Sequence, residues 1–527
     1  MSVLDQSLVS VISIVGLLLG SPRWLRVAQR EHYVAGMTTK FALRWWTLID
    51  KPANPVSFVL AVVASELTIR HELNLYDLLG LAALTALVAV YFPLGLSLKG
   101  RTSKLEWTKR LKRIAVLSYL LVLALTTIGL TLHIGPLFAG LLAMGYPMII
   151  DLAVAILKPY EEVAARRFVE TAAKKLASLA PRVVAVTGSF GKTTTKGYIA
   201  SLCSSTMVTV ASPASFNNRA GLSRAINENL TTGTELFVAE MGAYRVGEIE
   251  SLVGWIRPEI SVITALGPVH LERFGSEDQI LKAKSEIVKG AKVVVLCVDY
   301  PKLELLANEL EAAGVRVWRC SAGDFRAEVC VKSDEEGGLV VYYSQRRIGY
   351  LPRQELSSGN IACATAVALE LGISEETIAR QLFELKPPPH RLTTTVVENS
   401  GIFVLDDTYN SNPTGAKHAL SVLAEKEGAI NRVVVTPGMV ELGYKQYSEN
   451  YKLGQNIAEV ATHLVIVGKT NKRALQSGAF DRSKTEGAKL KKVIDVSTRE
   501  DAVRWVRENL HSGDVVLYEN DLPDHFA

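Results

Sequence analysis

The fold of the larger part of this chain is decided by residues 183–194, which read VVAVTGSFGKTT. The apolar run at 183–186 predicts a buried strand, and a glycine-rich turn separates it from a segment with a helical pattern. Such a turn presents backbone N–H groups and a positive helix end to phosphate oxygens, while Lys192 adds a point charge and Thr193 a hydroxyl for Mg²⁺. We therefore expect a nucleoside triphosphate site formed by Gly188, Ser189, Phe190, Gly191, Lys192, Thr193 and Thr194.

This loop is a shortened version of the common phosphate-binding motif. Its spacing is Gly188-x-x-Gly191-Lys192-Thr193, and Val186 stands where the longer motif has its first glycine. The alternative is a glycine turn with an unrelated lysine. The strand before the loop and the second threonine after it favour phosphate binding.

Apolar residues are concentrated in the first third of the sequence, although 21% of all residues are charged. Five largely uncharged segments cover residues 4–20, 55–68, 75–98, 114–134 and 137–157. The last three approach or reach the roughly 20 residues that cross a bilayer. Residues 1–157 are thus predicted to form an N-terminal α-helical membrane region with about five transmembrane helices. A buried helical bundle of a soluble protein is the alternative.

Basic residues lie on alternate connections between these segments. They are Arg23, Arg26, Arg30, Lys40, Arg44 and Lys51 in one connection and Lys99, Arg101, Lys104, Lys109, Arg110, Lys112 and Arg113 in another. The positive-inside rule then places both connections, and everything after residue 157, in the cytoplasm. This predicts a multi-pass protein of the cytoplasmic (inner) membrane that contacts membrane lipid. The basic connections account for the net charge of +5, so no nucleic-acid partner is expected.

Two α/β domains are predicted after an amphipathic connector at residues 158–180. Short apolar runs alternate with helical patterns through residues 181–388, which predicts a parallel sheet flanked by helices. The run Lys386-Pro387-Pro388-Pro389 marks a linker, and further strand patterns predict a second α/β domain at residues 389–527. The five cysteines are scattered, which suits a reducing cytoplasm and predicts neither a disulfide framework nor a zinc site.

Seven motifs follow the phosphate loop in a fixed order. They are SFNNRAG at 215–221, EMGA at 240–243, GEI at 247–249, GPVHLERFGS at 267–276, AKSEI at 283–287, DTYNSNP at 407–413 and ELG at 441–443. Together they resemble the Mur ligase superfamily, most closely the member that adds D-alanyl-D-alanine to the muramoyl tripeptide of peptidoglycan precursors. The resemblance spans residues 182–445 with a weaker tail to 527, and it does not include the apolar first third.

The resemblance implies a central P-loop ligase domain, a Rossmann-like C-terminal domain and ATP-driven amide formation. A carboxylate takes the γ-phosphoryl group to form an acyl phosphate, which an amine then attacks. Such a transfer depends on charge neutralisation and in-line placement. The implied catalytic residues are Lys192, Glu240, His270 and Lys284. Lys192 would contact the β- and γ-phosphates, Thr193 and Glu240 would hold one magnesium ion, and His270 would help to hold a second.

Lys284 matches a lysine that several family members carry as a carbamate. In that form CO₂ converts a cation into an oxygen ligand, so the implied metal ligands are Thr193, Glu240, His270 and carbamylated Lys284. Read from the residues alone, three of these ligands have plainer alternatives. Lys284 could be a surface lysine beside Glu286, His270 a structural histidine and Glu240 a strand-end carboxylate.

Further ATP contacts are implied for Asn360 and, on the second domain, for Arg391 near phosphate and Asp407 near the ribose. The implied substrate-binding residues are Asn217, Asn218, Tyr409, Asn410 and Asn412. Arg391 and Asp407 would act only when the two domains close, and closure would exclude water from the acyl phosphate. A simple turn is the alternative for residues 407–410. The chain departs from the family where Cys363 replaces a second asparagine after Asn360.

These observations predict a membrane-anchored, ATP-dependent acid–amino-acid ligase. Its partners would be a cell-envelope precursor that bears a carboxylate and an amino acid or dipeptide that supplies the amine. One alternative is D-alanyl-D-alanine addition to the soluble UDP-linked muramoyl tripeptide, with helices that serve only localisation. Another is a membrane scaffold or transporter with a regulatory ATP-binding domain, although charged residues such as Glu66 are few within the apolar segments.

Overall fold

The computed structural model describes residues 3–46, 96, 105–132, 141–213, 216–335, 337–352, 356–386, 392–397, 400–409, 411–426 and 428–522. The chain divides into two compact units, residues 1–165 with 522–526 and residues 166–521 with 527. The apolar segment at 55–68, nearly all of that at 75–98, Arg391 and Asn410 lie outside the described residues.

The first unit is helical. Its helices are Val3–Arg30, Met37–Trp46, Lys109–Thr131 and the first part of Tyr146–Leu179. Within the described residues, Ser10–Arg30 and Lys109–Thr131 are the two helices long and apolar enough to cross a membrane. Two of the five predicted segments therefore correspond to helices with that capacity, and the five-helix membrane region is not confirmed.

The segment predicted at 137–157 and the connector predicted at 158–180 are not separate elements. From Tyr146 onward they form one helix that continues through Pro159 to Leu179. A proline removes one backbone hydrogen bond, which a helix of 34 residues tolerates here without ending. The helix ends just before Pro181, as the sequence predicts.

The four described helices of the first unit pack around a buried apolar core. Leu25, Leu111 and Ile150 are fully buried in it. The Ser21 and Tyr119 hydroxyls lie 2.8 Å apart, as do those of Ser118 and Tyr146. These hydrogen bonds satisfy polar groups that would otherwise be costly inside an apolar core.

A nine-stranded sheet forms the centre of the second unit. Its strands are β1 Arg182–Thr187, β2 Thr209–Ala211, β3 Leu236–Glu240, β4 Ile260–Ile263, β5 Val293–Cys297, β6 Arg316–Ser321, β7 Val329–Ser333, β8 Leu339–Tyr343 and β9 Arg346–Leu351. The order is β2-β3-β1-β4-β5-β6-β7-β8-β9. Strands β1 to β7 pair in parallel, whereas β8 pairs antiparallel with both β7 and β9.

The prediction of a purely parallel sheet is therefore wrong for its far edge. Strands β7, β8 and β9 are joined by short turns, and a turn as tight as Ser344–Gln345 connects only antiparallel neighbours. Both residues of that turn have positive φ angles of 45° and 66°, as such a hairpin turn requires.

Helices cover both faces of this sheet. They are Lys192–Cys203, Arg219–Asn229, Glu248–Ile256, Leu271–Phe274, Glu277–Ser285, Pro301–Ala312, Ser358–Glu370 and Glu375–Phe383. Along β1, Val184 and Val186 face one apolar core, while Val183 and Ala185 face the other. Burial on both faces explains the continuous apolar run in the sequence. Parallel pairing brings the carboxyl ends of β1, β3 and β4 to one edge, where ligands bind in such sheets.

The second sheet has six strands in the order β10-β11-β15-β12-β13-β14. They are β10 Thr393–Val396, β11 Phe403–Asp407, β12 Arg432–Thr436, β13 His463–Val467, β14 Lys492–Val496 and β15 Val515–Glu519. Only β10 is antiparallel to its neighbour. The helices Pro413–Ala424, Gln446–Val460, Lys472–Ser483 and Arg499–Asn509 flank it. The second unit thus contains the two predicted α/β domains.

Candidate active site

The phosphate loop joins β1 to the helix that begins at Lys192. Its glycines at 188 and 191 have φ angles of 153° and 80°, which favour residues without a Cβ atom. A Cβ atom on Gly191 would also overlap Oδ1 of Asn360, so the loop passes directly against that side chain. The strand, the turn and the helix therefore lie as the sequence predicts, and Asn360 lies beside them.

Neighbouring groups hold the loop in place. The Ser189 N–H donates to the carbonyl of Ala265 at 2.9 Å, and the Thr264 hydroxyl donates to the carbonyl of Phe190. The Lys192 Nζ donates to the carbonyl of Gly188 at 2.8 Å. Both Thr264 and Ala265 follow strand β4, so the adjacent strand end shapes the loop.

Glu240, at the end of β3, is an almost fully buried carboxylate. One of its oxygens accepts hydrogen bonds from the Thr193 hydroxyl and the Lys196 ammonium, both at 2.9 Å. The other accepts from Asn217 Nδ2 at 3.0 Å. Burial opposes ionisation, but Lys196 and Lys192 outweigh it and lower the pKa of Glu240. Sequence reasoning missed Lys196, although it lies one helical turn after Lys192.

A cavity of about 50 Å³ lies next to this carboxylate. It is lined by Ser189, Lys192, Asn217, Gly242, Ala243, Tyr244, Val269, His270, Phe274 and Lys284. Its size suits an ion with a few water molecules rather than a whole nucleotide. The structure therefore brings Ser189, Lys192, Asn217, His270 and Lys284 around one space.

Lys284 lies in the last turn of the helix Glu277–Ser285 and is buried. Burial, followed by the nearby charge of Lys192, lowers its pKa to about 7. The alternative of an ordinary surface lysine is therefore wrong. Its sequence neighbour Glu286 instead accepts hydrogen bonds from the backbone N–H groups of Gly247 and Glu250.

His270 follows β4 and has a φ angle of 56°. Its Nδ1 is hydrogen-bonded to Oε2 of Glu441, a residue of the C-terminal domain. The Tyr244 ring contacts the imidazole edge to face, with centroids 5.0 Å apart. Glu441 belongs to the ELG motif, but no local sequence pattern links it to His270, which lies far away along the chain.

Other predicted site residues have structural partners of their own. Asn218 and Asn412 are helix N-caps. Their side-chain oxygens accept hydrogen bonds at 2.9 Å from the backbone N–H groups of Gly221 and Gly415, respectively. Asp407 ends β11, and the Tyr409 side chain is exposed. Asp407, Tyr409 and Asn412 are not among the residues that line the cavity beside Lys284.

The donor set fits magnesium. The Thr193 hydroxyl and a Glu240 oxygen lie 2.9 Å apart, close to the roughly 3 Å that separates adjacent ligands of an octahedral ion with bonds of about 2.1 Å. Among the described residues, no three His, Cys, Asp or Glu side chains converge as metal ligands. Magnesium here would thus complete its shell with phosphate oxygens and water, as it commonly does.

Comparison with known proteins identifies the family. Residues 186–366 match the Mur ligase middle domain and residues 390–518 match the Mur ligase glutamate ligase domain, together more than half of the chain. The chain belongs to the Mur ligase family. As a Mur ligase it is an ATP-dependent enzyme that forms amide bonds and uses Mg²⁺, and the resemblance read from the motifs is confirmed.

Three similar proteins support this assignment. The UDP-N-acetylmuramoyl-tripeptide–D-alanyl-D-alanine ligase of Mycobacterium tuberculosis is 31% identical over an alignment of 358 residues, which covers 64% of this chain and 69% of that protein. The crystal structure of MurF from Acinetobacter baumannii matches with a TM-score of 0.57 at 26% identity, covering 68% of this chain and 77% of that one. MurF from Thermotoga maritima in complex with ADP has a TM-score of 0.56 at 25% identity, covering 68% and 80%.

Proposed function

We propose that this Mur ligase adds a D-alanyl-D-alanine dipeptide to a UDP-linked muramoyl tripeptide. The observation that carries the proposal is one cavity lined by Lys192, His270 and Lys284 beside the buried Glu240, within a chain that resembles ligases named for this reaction. The sequence offers addition to the UDP-linked acceptor as an alternative, and the names of the relatives favour this acceptor over one that is linked to lipid.

In this proposal the acceptor carboxylate takes the γ-phosphoryl group of ATP, and the resulting acyl phosphate is attacked by the dipeptide amine with loss of phosphate. The phosphate loop binds the triphosphate, and Lys192 moves from the loop carbonyls to the β- and γ-phosphates. Thr193, Glu240 and His270 would hold two magnesium ions, whose charge would offset that of the phosphates. Domain closure excludes water from the acyl phosphate.

The remaining contacts are proposed from the motif positions. Asn360, Arg391 and Asp407 bind the nucleotide, and the dipeptide or tripeptide contacts fall on Asn217, Asn218, Tyr409, Asn410 and Asn412. Asn360 has the most direct support, because its Oδ1 packs against Gly191 of the phosphate loop. We propose domain boundaries of 181–388 and 389–527 around this site.

The buried Lys284 is proposed to act as a carbamate. Its pKa of about 7 leaves much of the amine neutral, and the neutral amine is the form that adds to CO₂. We expect Lys284→Ala to lose activity and to regain part of it with added short-chain carboxylic acids. Lys289→Ala is the matched control, because that lysine is exposed and pairs with Glu250. Absence of rescue under conditions where the variant is folded would count against the carbamate.

The substrate proposal is tested with the purified full chain in detergent. Phosphate release and product mass are measured with UDP-linked muramoyl tripeptide and D-alanyl-D-alanine, with L-alanyl-L-alanine as the matched amine, and with a lipid-linked tripeptide as the alternative acceptor. We expect an amide product on the UDP-linked acceptor that depends on the D,D-dipeptide. Turnover on the lipid-linked acceptor alone would reject this proposal, and ATP hydrolysis without amide formation would favour a regulatory module.

We also propose that the first unit attaches the enzyme to the cytoplasmic membrane. Val116, Leu120 and Leu123 each expose more than half of their surface on the helix Lys109–Thr131. The helices Val3–Arg30 and Tyr146–Leu179 likewise expose apolar residues at helical spacing: Val11, Val15 and Leu19, and Met148, Leu152 and Ile156. Apolar surface of this extent suits hydrocarbon better than water.

The charges of the first unit support the same attachment. The hydrogen bond from Gln29 Nε2 to the carbonyl of Glu106 brings the basic end of the helix Val3–Arg30 to the basic start of the helix Lys109–Thr131. The Arg113–Glu161 ion pair, at 2.6 Å, lies at this same end. Grouped basic residues at one end of apolar helices favour the cytoplasmic face of a membrane.

A further inference from the structure

A short segment of the C-terminal domain, residues 441–445, contacts the loop and helix of the central domain that carry His270. A Cβ atom on Gly443 would lie 3.4 Å from the backbone nitrogen of Glu272, so these two segments of the chain are in close contact. Lys445 pairs with Glu277, at the start of the helix that ends near Lys284. Together with the His270–Glu441 hydrogen bond, these contacts join the two domains beside the cavity.

The His270–Glu441 hydrogen bond determines which imidazole nitrogen carries a proton. When Glu441 is a carboxylate it only accepts hydrogen bonds, and Nδ1 of His270 is then the donor to its Oε2. In a neutral imidazole this leaves Nε2 with its lone pair, which is the form that binds a metal ion. Metal-binding histidines commonly donate their other nitrogen to a carboxylate in this way.

Both side chains are held in this arrangement. His270 and Glu441 have φ angles of 56° and 63°, a conformation that non-glycine residues rarely adopt. Arg273 Nη2 lies 3.7 Å from the second oxygen of Glu441, and the Arg273 guanidinium also stacks over the Tyr244 ring at 4.6 Å. Tyr244 contacts the imidazole in turn. Glu441 is thus oriented by residues of the domain that it contacts.

We propose that Glu441 is a positioning residue that the C-terminal domain supplies to His270 of the central domain, so that docking of residues 441–445 raises the affinity of the site for its second divalent ion. The inference rests on the proposed metal-binding role of His270. Metal binding and domain docking would then depend on each other. If docking raises the affinity for the second metal ion, binding of that ion must stabilise the docked arrangement to the same extent. A residue from the C-terminal domain would then complete the site without touching the metal or the substrate.

The test measures Mn²⁺ binding to the full chain by electron paramagnetic resonance, with a non-hydrolysable ATP analogue present. We expect Glu441→Ala to weaken the more weakly bound ion by about 10- to 100-fold, as loss of a carboxylate behind a metal-binding histidine does. Glu441→Gln should recover most of this affinity, because its amide oxygen accepts the same hydrogen bond. Lys445→Ala is the matched control, since it removes a neighbouring inter-domain ion pair without touching His270. Because that pair is partly exposed and contributes little to docking, this variant should weaken Mn²⁺ binding far less than Glu441→Ala does.

A fourth variant, His270→Ala, separates this inference from the role on which it rests. If His270→Ala loses the weaker ion and Glu441→Ala does not, the positioning role of Glu441 is rejected and the metal role of His270 stands. If His270→Ala binds both ions normally, the metal role fails and the inference fails with it. Equal losses for Glu441→Ala and Lys445→Ala would indicate a general docking contact and would also overturn the proposal.

Discussion

Lys284 is an amine that folding buries beside a second cation, Lys192. Its pKa falls from 10.5 to about 7, so between these values the unfolded chain binds a proton that the folded chain does not. Stability contributed by this group therefore rises with pH across that window. We expect the free energy of unfolding of the wild type to rise with pH relative to that of Lys284→Met, as measured by urea titration at several pH values.

A surface lysine provides the control for this pH dependence. Lys289 is exposed, so Lys289→Met should keep the pH dependence of the wild type. Parallel curves for the wild type and Lys284→Met would contradict the burial of an amine with a lowered pKa. Carbamylation adds a second observable. Removing CO₂ should change the curve of unfolding free energy against pH for the wild type and leave the curve for Lys284→Met unchanged.

Among the structural elements, the phosphate loop is constrained by its contact with the helix Ser358–Glu370. At Gly191, an alanine would adopt a positive φ angle and its Cβ would overlap Asn360. We expect Gly191→Ala to weaken ATP binding strongly in calorimetric titration. In an Asn360→Ala background the overlap disappears, while the backbone cost of about 1–2 kcal/mol remains. The double variant should therefore bind ATP more tightly than the sum of the two single effects predicts.

Gly197 is the matched control for this element. It lies in the helix that follows the loop, has no heavy atom within 4 Å of an added Cβ and does not have a positive φ angle. Gly197→Ala should leave ATP affinity unchanged and should not destabilise the helix, because alanine has the higher helix propensity. Additive effects of Gly191→Ala and Asn360→Ala would show that their contact does not shape the loop.

The elements that could be predicted from sequence are those whose pattern is local. Strands buried on both faces give apolar runs, so the prediction at 183–186 falls within a residue of the observed strand β1. Strand β2 has three half-buried residues and leaves no such run. The antiparallel edge β7–β9 could not be deduced from the alternation of strands and helices, because its direction depends on turns between neighbours.

The residues of the site divide in the same way, into those marked by a local sequence pattern and those whose partners lie far away in the sequence. Lys192, Thr193 and Glu240 could be chosen from motifs, because each stands at the end of a predicted strand or loop and they meet at one sheet edge. The partner of His270 could not be predicted, because Glu441 lies in another domain and 171 residues along the chain. The buried state of Lys284 likewise depends on packing by Phe274 and other residues around the cavity.

For the molecule as a whole, the first unit carries the proposed attachment to the membrane. Its helices bury one set of apolar residues around Leu25, Leu111 and Ile150 and expose another. The second unit also exposes single large apolar residues such as Leu305 and Phe480. Isolated exposed residues are common on soluble proteins, whereas apolar rows at helical spacing on neighbouring helices indicate a nonpolar environment.

Membrane attachment can be tested by placing charge on one such row. A lysine at the centre of a bilayer costs about 2.5–3.5 kcal/mol, so Leu120→Lys with Leu123→Lys should release much of the full chain from membranes during alkaline carbonate extraction. Leu305→Lys with Phe480→Lys changes equally exposed residues of the second unit and should leave extraction unchanged. The wild type should remain with the membranes. If the wild type is extracted completely, or if both double variants partition alike, the exposed rows do not contact lipid and the enzyme reaches its UDP-linked acceptor without an anchor.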